Sequence, residues 1–218
     1  VYVIENNGVY GLTKGQFSAT ADMGQELKYA GRNELPPIDL CLEAIIANCG
    51  FVARSFAGDP KQVVPILKAA FAHRGTAVVD IISPCVTFNN LDASTKSYAR
   101  GKEHDEPLHD ITFVPFREEI TVDYAEGETT TVAMHDGSKI LLHKLGKDHD
   151  PTDRMSAIRL LEEAQAKQLF VTGIIYVDGS RPSLTEEQRL PAVPLARLPE
   201  ARIRPSRESL EQLMAGMA

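Results

Sequence analysis

The sequence predicts an α/β fold, a mainly parallel sheet flanked by helices, with a C-terminal β-hairpin and helix extension. Three observations predict it. Strand-like and helix-like segments alternate from Val1 to Ser83, the order that builds a parallel sheet. Thr76–Ser83, TAVVDIIS, is a continuous β-branched run of the kind buried on both faces of such a sheet. From Glu118 onward the pattern changes to period-two alternation with turn dipeptides, which reads as antiparallel strands.

In order along the chain, Val1–Ile4 reads as the tail of a buried strand, followed at once by Asn6, Asn7 and Gly8. Ile38–Cys49 has helical spacing, with Leu40, Ala44 and Ala47 on one side and Gly50 as the stop. Phe51–Phe56 is a short strand. Asp59 is a natural N-cap, Pro60 suits the first helical position, and the helix should run to Gly75. Pro65 inside it argues for a later start, because proline removes a backbone donor. Thr76–Ser83 follows as a strand. Asn89–Asp110 is polar and reads as a long functional loop. In it, Lys96, Arg100 and Lys102 fit either a solvated face or a contact with a partner or a phosphate. Turn signals at Glu126-Gly127 and Asp136-Gly137 divide the next stretch into two or three antiparallel strands. Met155–Gln168 is an amphipathic helix and Leu169–Gly179 a final strand. Beyond Gly179 the chain is rich in proline and arginine, has one short terminal helix from Ser206, and cannot form a core of its own. It is expected to lie over a neighbour.

A net charge of −7 over 218 residues argues against a broad nucleic-acid or membrane-surface footprint. No apolar run approaches the roughly 18 residues of a membrane span. The first residues lack the basic region of a signal peptide, and three cysteines form no disulfide framework. A cytoplasmic setting is therefore expected. Cys41 and Cys49 fit core packing, and the six histidines have no zinc-site spacing with cysteine.

The loop after the first strand carries the chemistry. In an α/β sheet the carboxyl ends of parallel strands face the ligand crevice, and Asn6 and Asn7 stand at such an end. An asparagine oxygen suits a hard cation such as Mg²⁺. Gly8, Gly11 and Gly15 allow tight turns and close approach, and the Thr13 hydroxyl suits a phosphate oxygen. Residue type alone leaves two readings open: a ligand loop, or Asn-Asn-Gly as simple turn chemistry.

The order of residues adds more. Asn7, Tyr10, Gly11, Leu12, Thr13, Gly15, Gln16, Ser18 and Thr20 resemble the second half of the thiamin diphosphate motif. More closely, they resemble the β subunit of the 2-oxoacid:ferredoxin oxidoreductases. Ser83–Asn89, SPCVTFN, and Thr172–Pro182, TGIIYVDGSRP, are similar to two further family segments in the same order. Ala19 departs from the family, where proline is usual. The resemblance implies a thiamin diphosphate-binding fold. Residues 1–104 would be the C-terminal part of the cofactor domain and residues 105–218 an extension of antiparallel strands, one helix, one strand and an irregular tail. It implies Mg²⁺ held by the Asn7 side chain and the Val9 carbonyl, diphosphate held by Thr13 and the main chain around Gly11, and Cys85 as the fourth ligand of a [4Fe–4S] cluster. The implied reaction is oxidative decarboxylation of a 2-oxoacid to its acyl-coenzyme A, with electrons passed to ferredoxin. An α subunit would be the partner that supplies the activating glutamate. Lys14 after Leu-Thr resembles members that accept 2-oxoglutarate, with Leu12 against the aliphatic part of the acid; pyruvate is the alternative. The family's Cys-Pro-Gly-Cys motif, a further cysteine and the Gly-Asp-Gly half-motif do not occur in this sequence. The chain is thus expected to lack the N-terminal region and to be inactive without it and the α subunit. Two other classes compete: a non-redox thiamin decarboxylase or carboligase, against which Cys85 speaks, and a non-catalytic partner domain.

Overall fold

β1 (Tyr2–Asn6) opens a six-stranded sheet in the computed structural model, which describes residues 1–13, 15–27, 30–83, 120–133 and 139–217. The chain forms two compact units, Val1–Arg181 and Pro182–Ala218. In the first, two short hairpins follow β1: β2 (Val9–Tyr10) with β3 (Gln16–Phe17), and β4 (Glu26–Leu27) with β5 (Gly31–Arg32). Then come α1 (Leu40–Ile46), β6 (Phe51–Phe56), α2 (Pro60–Ala72) and β7 (Ala77–Ile82). After these lie β8 (Thr129–Ala133), β9 (Lys139–Lys144), α3 (Arg154–Ala166) and β10 (Leu169–Val177). The sheet order is β1-β7-β6-β10-β9-β8. β1, β7 and β6 run parallel, β10 is antiparallel to β6 and parallel to β9, and β8 is antiparallel to β9. The strands of the extension therefore continue the same sheet.

Burial on both faces explains the apolar strands. All six residues of β6 are buried. Val52 packs with Cys41, Ile45, Ala157 and Leu161 of α1 and α3 on one face, while Phe51 and Ala53 pack with Ile66 and Ala70 of α2 on the other. The sequence places charges in the middle of both central strands, and the structure pairs them. Arg54 and Asp80 are register partners, joined by Arg54 Nε to Asp80 Oδ2 at 2.8 Å. Arg54 Nη2 reaches Asp39 Oδ1 at 2.7 Å. Asp39 is the N-cap of α1 and accepts from the Cys41 and Leu42 amides. One guanidinium thus ties two strands to the start of a helix.

Three elements depart from the sequence expectations. β1 is an edge strand rather than a buried one: among the described residues it pairs with β7 alone, leaving Tyr2 and Val3 exposed. α1 is shorter than Ile38–Cys49. Asn48 adopts φ 65°, a left-handed conformation that asparagine tolerates, so it ends the helix before Gly50. The buried face of α1 is Cys41 and Ile45 rather than Leu40, Ala44 and Ala47; Ala47 is the exposed C-cap. α2 starts at Pro60 despite Pro65, because Asp59 Oδ1 accepts from the Gln62 amide and Pro65 lies on the exposed side. It stops at Ala72, short of Gly75. Ile120–Ala125 forms no strand, and the antiparallel pair before α3 is β8 with β9, within the two or three strands expected. The loop at 90–110 and the Asp136-Gly137 turn lie outside the described residues.

The second unit holds α4 (Leu184–Glu187), a 3₁₀ turn at Leu195–Arg197, α5 (Glu200–Ile203) and α6 (Arg207–Ala215). None has a buried residue, which fits a segment without its own core. Ser183 and Glu186 form a capping box on α4, and Ser206 caps α6 as its position in the sequence predicts.

The Arg54 cluster makes a stability prediction. Arg54→Leu leaves the fully buried Asp80 carboxylate unpaired, and should cost about 3–5 kcal/mol in urea unfolding. The pair Arg54→Leu with Asp80→Leu should recover part of that loss, because the fully buried carboxylate is then gone and Asp39 keeps the Cys41 and Leu42 amides. A single variant as stable as wild type would show that the pair does not hold the two strands.

Candidate functional site

Parallel pairing brings three strand ends to one level. Asn6 of β1 pairs with Ile82 of β7, and Ile82 pairs with Phe56 of β6. The Ser83 amide donates to the Asn6 carbonyl at 2.8 Å and the Ala57 amide to the Ile82 carbonyl at 2.9 Å. These carboxyl ends form the crevice side of the sheet, and Asn7 is the next residue beyond it.

Gly8 starts the turn at φ 70°. That conformation favours glycine, while a Cβ there would only touch the Ala21 Cα at 3.4 Å. The chain then forms the β2–β3 hairpin. The Ser18 amide donates to the Gly8 carbonyl at 3.0 Å, and Val9 pairs with Phe17. In an antiparallel ladder hydrogen-bonded and non-bonded pairs alternate. Val9 is therefore at a non-bonded position, and its N–H and carbonyl both face the outer edge of the hairpin. The Val9 N–H donates to Asn7 Oδ1 at 3.0 Å. An amide oxygen has two acceptor sites, so this bond leaves Asn7 Oδ1 with one. The two readings of Asn-Asn-Gly are thus compatible: the turn holds the Asn7 oxygen beside the edge that carries the Val9 carbonyl. Two neutral oxygens on one edge, at the end of a parallel strand, are a donor set that fits Mg²⁺ on a diphosphate.

The hairpin is closed from behind by side chains. Thr20 Oγ1 donates to Asn6 Oδ1 at 2.7 Å and lies 2.9 Å from Ser18 Oγ. Farther on, Asn33 is buried. Its Nδ2 donates to the carbonyls of Ala21, Asp22 and Leu35 at 2.9, 3.0 and 2.9 Å, and its Oδ1 accepts from the Leu35 amide at 3.2 Å. The loop from Asn7 to Leu35 is therefore pinned at both ends.

The other expected residues fall as follows. Thr13 is exposed, and its hydroxyl donates to the Tyr10 carbonyl at 3.2 Å. Gly11 is exposed in the turn and Leu12 is 99% exposed, with no protein surface against it. Lys14 and Cys85 lie outside the described residues. Cys41 and Cys49 are free and buried, in the core that joins α1 to α3. Burial pushes both thiols up, which keeps them protonated and inert. Among the described residues no group of three His, Cys, Asp or Glu side chains could hold a metal.

Asn33 and the Arg54–Asp80–Asp39 cluster were not singled out from the sequence. The signal for the cluster was available: a lone arginine in FVARSF and a lone aspartate in TAVVDIIS, each in a strand read as buried. A buried charge needs a partner. For Asn33 no local pattern marks the role, since its partners are main-chain carbonyls fixed only by the folded loop. A second polar cluster joins the extension to α2. Lys144 pairs with Asp59 at 2.7 Å and lies 4.3 Å from the Tyr124 ring centre, and Tyr124 meets Thr172 at 2.9 Å. Lys144 and Tyr124 line part of a cleft of about 540 Å³.

The family model described as the C-terminal TPP binding domain of thiamine pyrophosphate enzymes matches residues 1–81; thiamine pyrophosphate is thiamin diphosphate. That described as the C-terminal part of the pyruvate ferredoxin oxidoreductase beta subunit matches residues 139–192. A 2-oxoacid:ferredoxin oxidoreductase subunit beta from Saccharolobus solfataricus is 42% identical over 100 residues, which is 44% of this chain and 31% of the relative. A 2-oxoglutarate oxidoreductase subunit KorB from Mycobacterium tuberculosis is 36% identical over 110 residues, 47% of this chain and 30% of the relative. The chain thus spans about a third of the length of these curated relatives. A solved 2-oxoglutarate:ferredoxin oxidoreductase from Magnetococcus marinus, with 2-oxoglutarate, coenzyme A and succinyl-CoA bound, has the same fold. Its TM-score is 0.61 at 24% identity, covering 100% of this chain and 57% of that one. With two family regions in order along the chain and relatives of one kind, this chain is a relative of the 2-oxoacid:ferredoxin oxidoreductase beta subunits and carries part of their thiamin diphosphate-type fold.

Proposed function

We propose that the chain is the thiamin diphosphate-binding part of a cytoplasmic enzyme that oxidatively decarboxylates a 2-oxoacid, 2-oxoglutarate in preference to pyruvate. The acyl product passes to coenzyme A and the electrons pass through a [4Fe–4S] cluster to ferredoxin. The single observation that carries the reading is the outer edge of the β2–β3 hairpin, with the Asn7 side-chain oxygen and the Val9 carbonyl together at the carboxyl end of β1. Bound thiamin diphosphate supplies the electron sink for loss of CO₂ from the acid. The residues of this chain bind and orient. Asn7 and Val9 offer oxygens to the Mg²⁺ on the diphosphate. Thr13 can turn its hydroxyl from the Tyr10 carbonyl to a diphosphate oxygen, and the main chain at Gly11 is free of a side chain that would block approach. The exposure of Leu12 suits a residue whose packing partner is the substrate. Lys14 supplies a cation for the distal carboxylate, and Cys85 a thiolate for the cluster. An α subunit completes the site, and these relatives' shared names support the assignment.

Three measurements test it in the full-length beta subunit with its α partner. Asn7→Ala should weaken Mg²⁺-dependent thiamin diphosphate binding by about 1.5–3 kcal/mol, the range for a hydrogen-bond-like contact to a charged group. Calorimetric titration at limiting Mg²⁺ reads it, and unchanged affinity would reduce the loop to a turn. Cys85→Ser should deplete iron and stop ferredoxin reduction while thiamin diphosphate still binds; Cys41→Ser and Cys49→Ser should keep their iron. Full iron content in Cys85→Ser would remove Cys85 from the cluster. Finally, Lys14→Ala should lower kcat/KM for 2-oxoglutarate far more than for pyruvate, since only the former loses a charge partner. Equal losses would assign Lys14 to the cofactor or to the keto-acid end.

A further inference from the structure

Thr20 lies 14 residues from Asn6 in sequence, yet their side chains meet at 2.7 Å. An amide oxygen can only accept, so the Thr20 hydroxyl donates to Asn6 Oδ1. Its remaining lone pairs then take the proton of Ser18 Oγ, 2.9 Å away, and the Thr20 amide donates back to Ser18 Oγ at 3.3 Å. The result is a directed chain, Ser18 hydroxyl to Thr20 hydroxyl to Asn6 amide, in which each bond polarises the next. All three residues are half-buried, so water competes poorly for these groups.

Asn6 is also fixed on its other side. Its carbonyl accepts from the Ser83 amide at 2.8 Å at the end of β7. The residue is thus held to the sheet by its main chain and to the returning loop by its side chain. Asn7 follows directly, and the Gly8 carbonyl is bonded by the Ser18 amide at 3.0 Å. The segment Asn7–Val9 therefore hangs between two points that the Ser18-Thr20 return strand controls. The bond from the Val9 amide leaves Asn7 Oδ1 on the outer edge only while those points hold.

We propose that Thr20 and Asn6 are a positioning pair for the metal-binding turn, with Ser18 setting the direction of the Thr20 hydroxyl. The pair touches neither metal nor diphosphate. It fixes where the Asn7 oxygen and the Val9 carbonyl stand before the metal arrives, so that binding does not first have to order the turn. This inference rests on the reading of Asn7–Thr13 as the Mg²⁺ and thiamin diphosphate loop.

The test is a calorimetric titration of thiamin diphosphate at graded Mg²⁺ on the full-length beta subunit with its α partner, beside the melting temperature of the cofactor-free complex. Thr20→Val keeps the shape and removes the hydroxyl. It should raise the Mg²⁺ needed for half-saturation about tenfold, the effect of one lost half-buried hydrogen bond, and leave the cofactor-free melting temperature unchanged. Thr20→Ser should restore the wild-type requirement. Ser18→Ala, which leaves Asn6 and Thr20 in place, should give a smaller rise, and it keeps the test open should Thr20→Val not fold. A wild-type Mg²⁺ requirement in both Thr20→Val and Ser18→Ala overturns the positioning role while the cofactor site stands. So does a loss that Thr20→Ser fails to restore or that follows a fall in the cofactor-free melting temperature. Absence of Mg²⁺-dependent binding in the wild type overturns the site itself, and this inference with it.

Discussion

A guanidinium held between two carboxylates sets the geometry on which the rest depends. Arg54 and Asp80 face each other across β6 and β7, and Asp39 meets the same guanidinium from the N-cap of α1. A one-residue slip between these strands would turn Arg54 toward α2 and strand both charges in an apolar layer, a cost of several kcal/mol. The register is therefore fixed by charge where the surrounding valines, isoleucines and alanines would accept several alignments. The contribution is to uniqueness more than to total stability, since a buried pair gains little over well-packed apolar residues.

From that register the position of the loop follows. Ile4 pairs with Asp80, Asn6 with Ile82, and Ile82 with Phe56, so three strand ends are level. Level ends give a flat rim from which Asn7 departs. The turn at Gly8, the hairpin and the Asn33 staple then act locally, each through main-chain atoms. The two oxygens at Asn7 and Val9 owe their common edge to strand pairing, not to any side-chain packing around them.

How much of this was legible in the sequence depended on the range of the interactions involved. β6 and β7 were readable to the residue or nearly so, because mostly apolar runs bounded by Gly50, Asp59 and Gly75 leave little choice. Asp59 and Ser206 were readable as caps for the same reason: a cap acts within three residues. The end of α1 was not, since Asn48 and Gly50 both permit a stop and the left-handed turn fell on the former. The buried face of α1 was misread because it is chosen by what α3 presents, far along the chain. β1 was misplaced because an apolar strand has the same pattern at an edge as in the middle. At the site, Asn7, Thr13 and Thr20 were marked by motif order, whereas the contacts of Thr20 and the role of Asn33 became legible only when a loop brought them back. Their partners are one amide and several carbonyls, and no residue pattern encodes a carbonyl.

β10 runs against β6, with Gly173 opposite Arg54 and Val177 opposite Phe51, and β9 runs with β10. This reversal turns β9 and β10 so that their starts lie toward the rim beyond Asn6, and β8, antiparallel to β9, finishes there. Ser83 follows β7 at that rim, the Val122 amide bonds the Gly58 carbonyl just past β6, and Ala133 pairs with Lys139 at the same end. Ser83, Val122, Ala133 and Lys139 therefore all lie on the crevice side of the sheet. An insertion directly after Ser83 or Ala133 would enter the chain on that side, where added length is tolerated, with every strand pairing left in register.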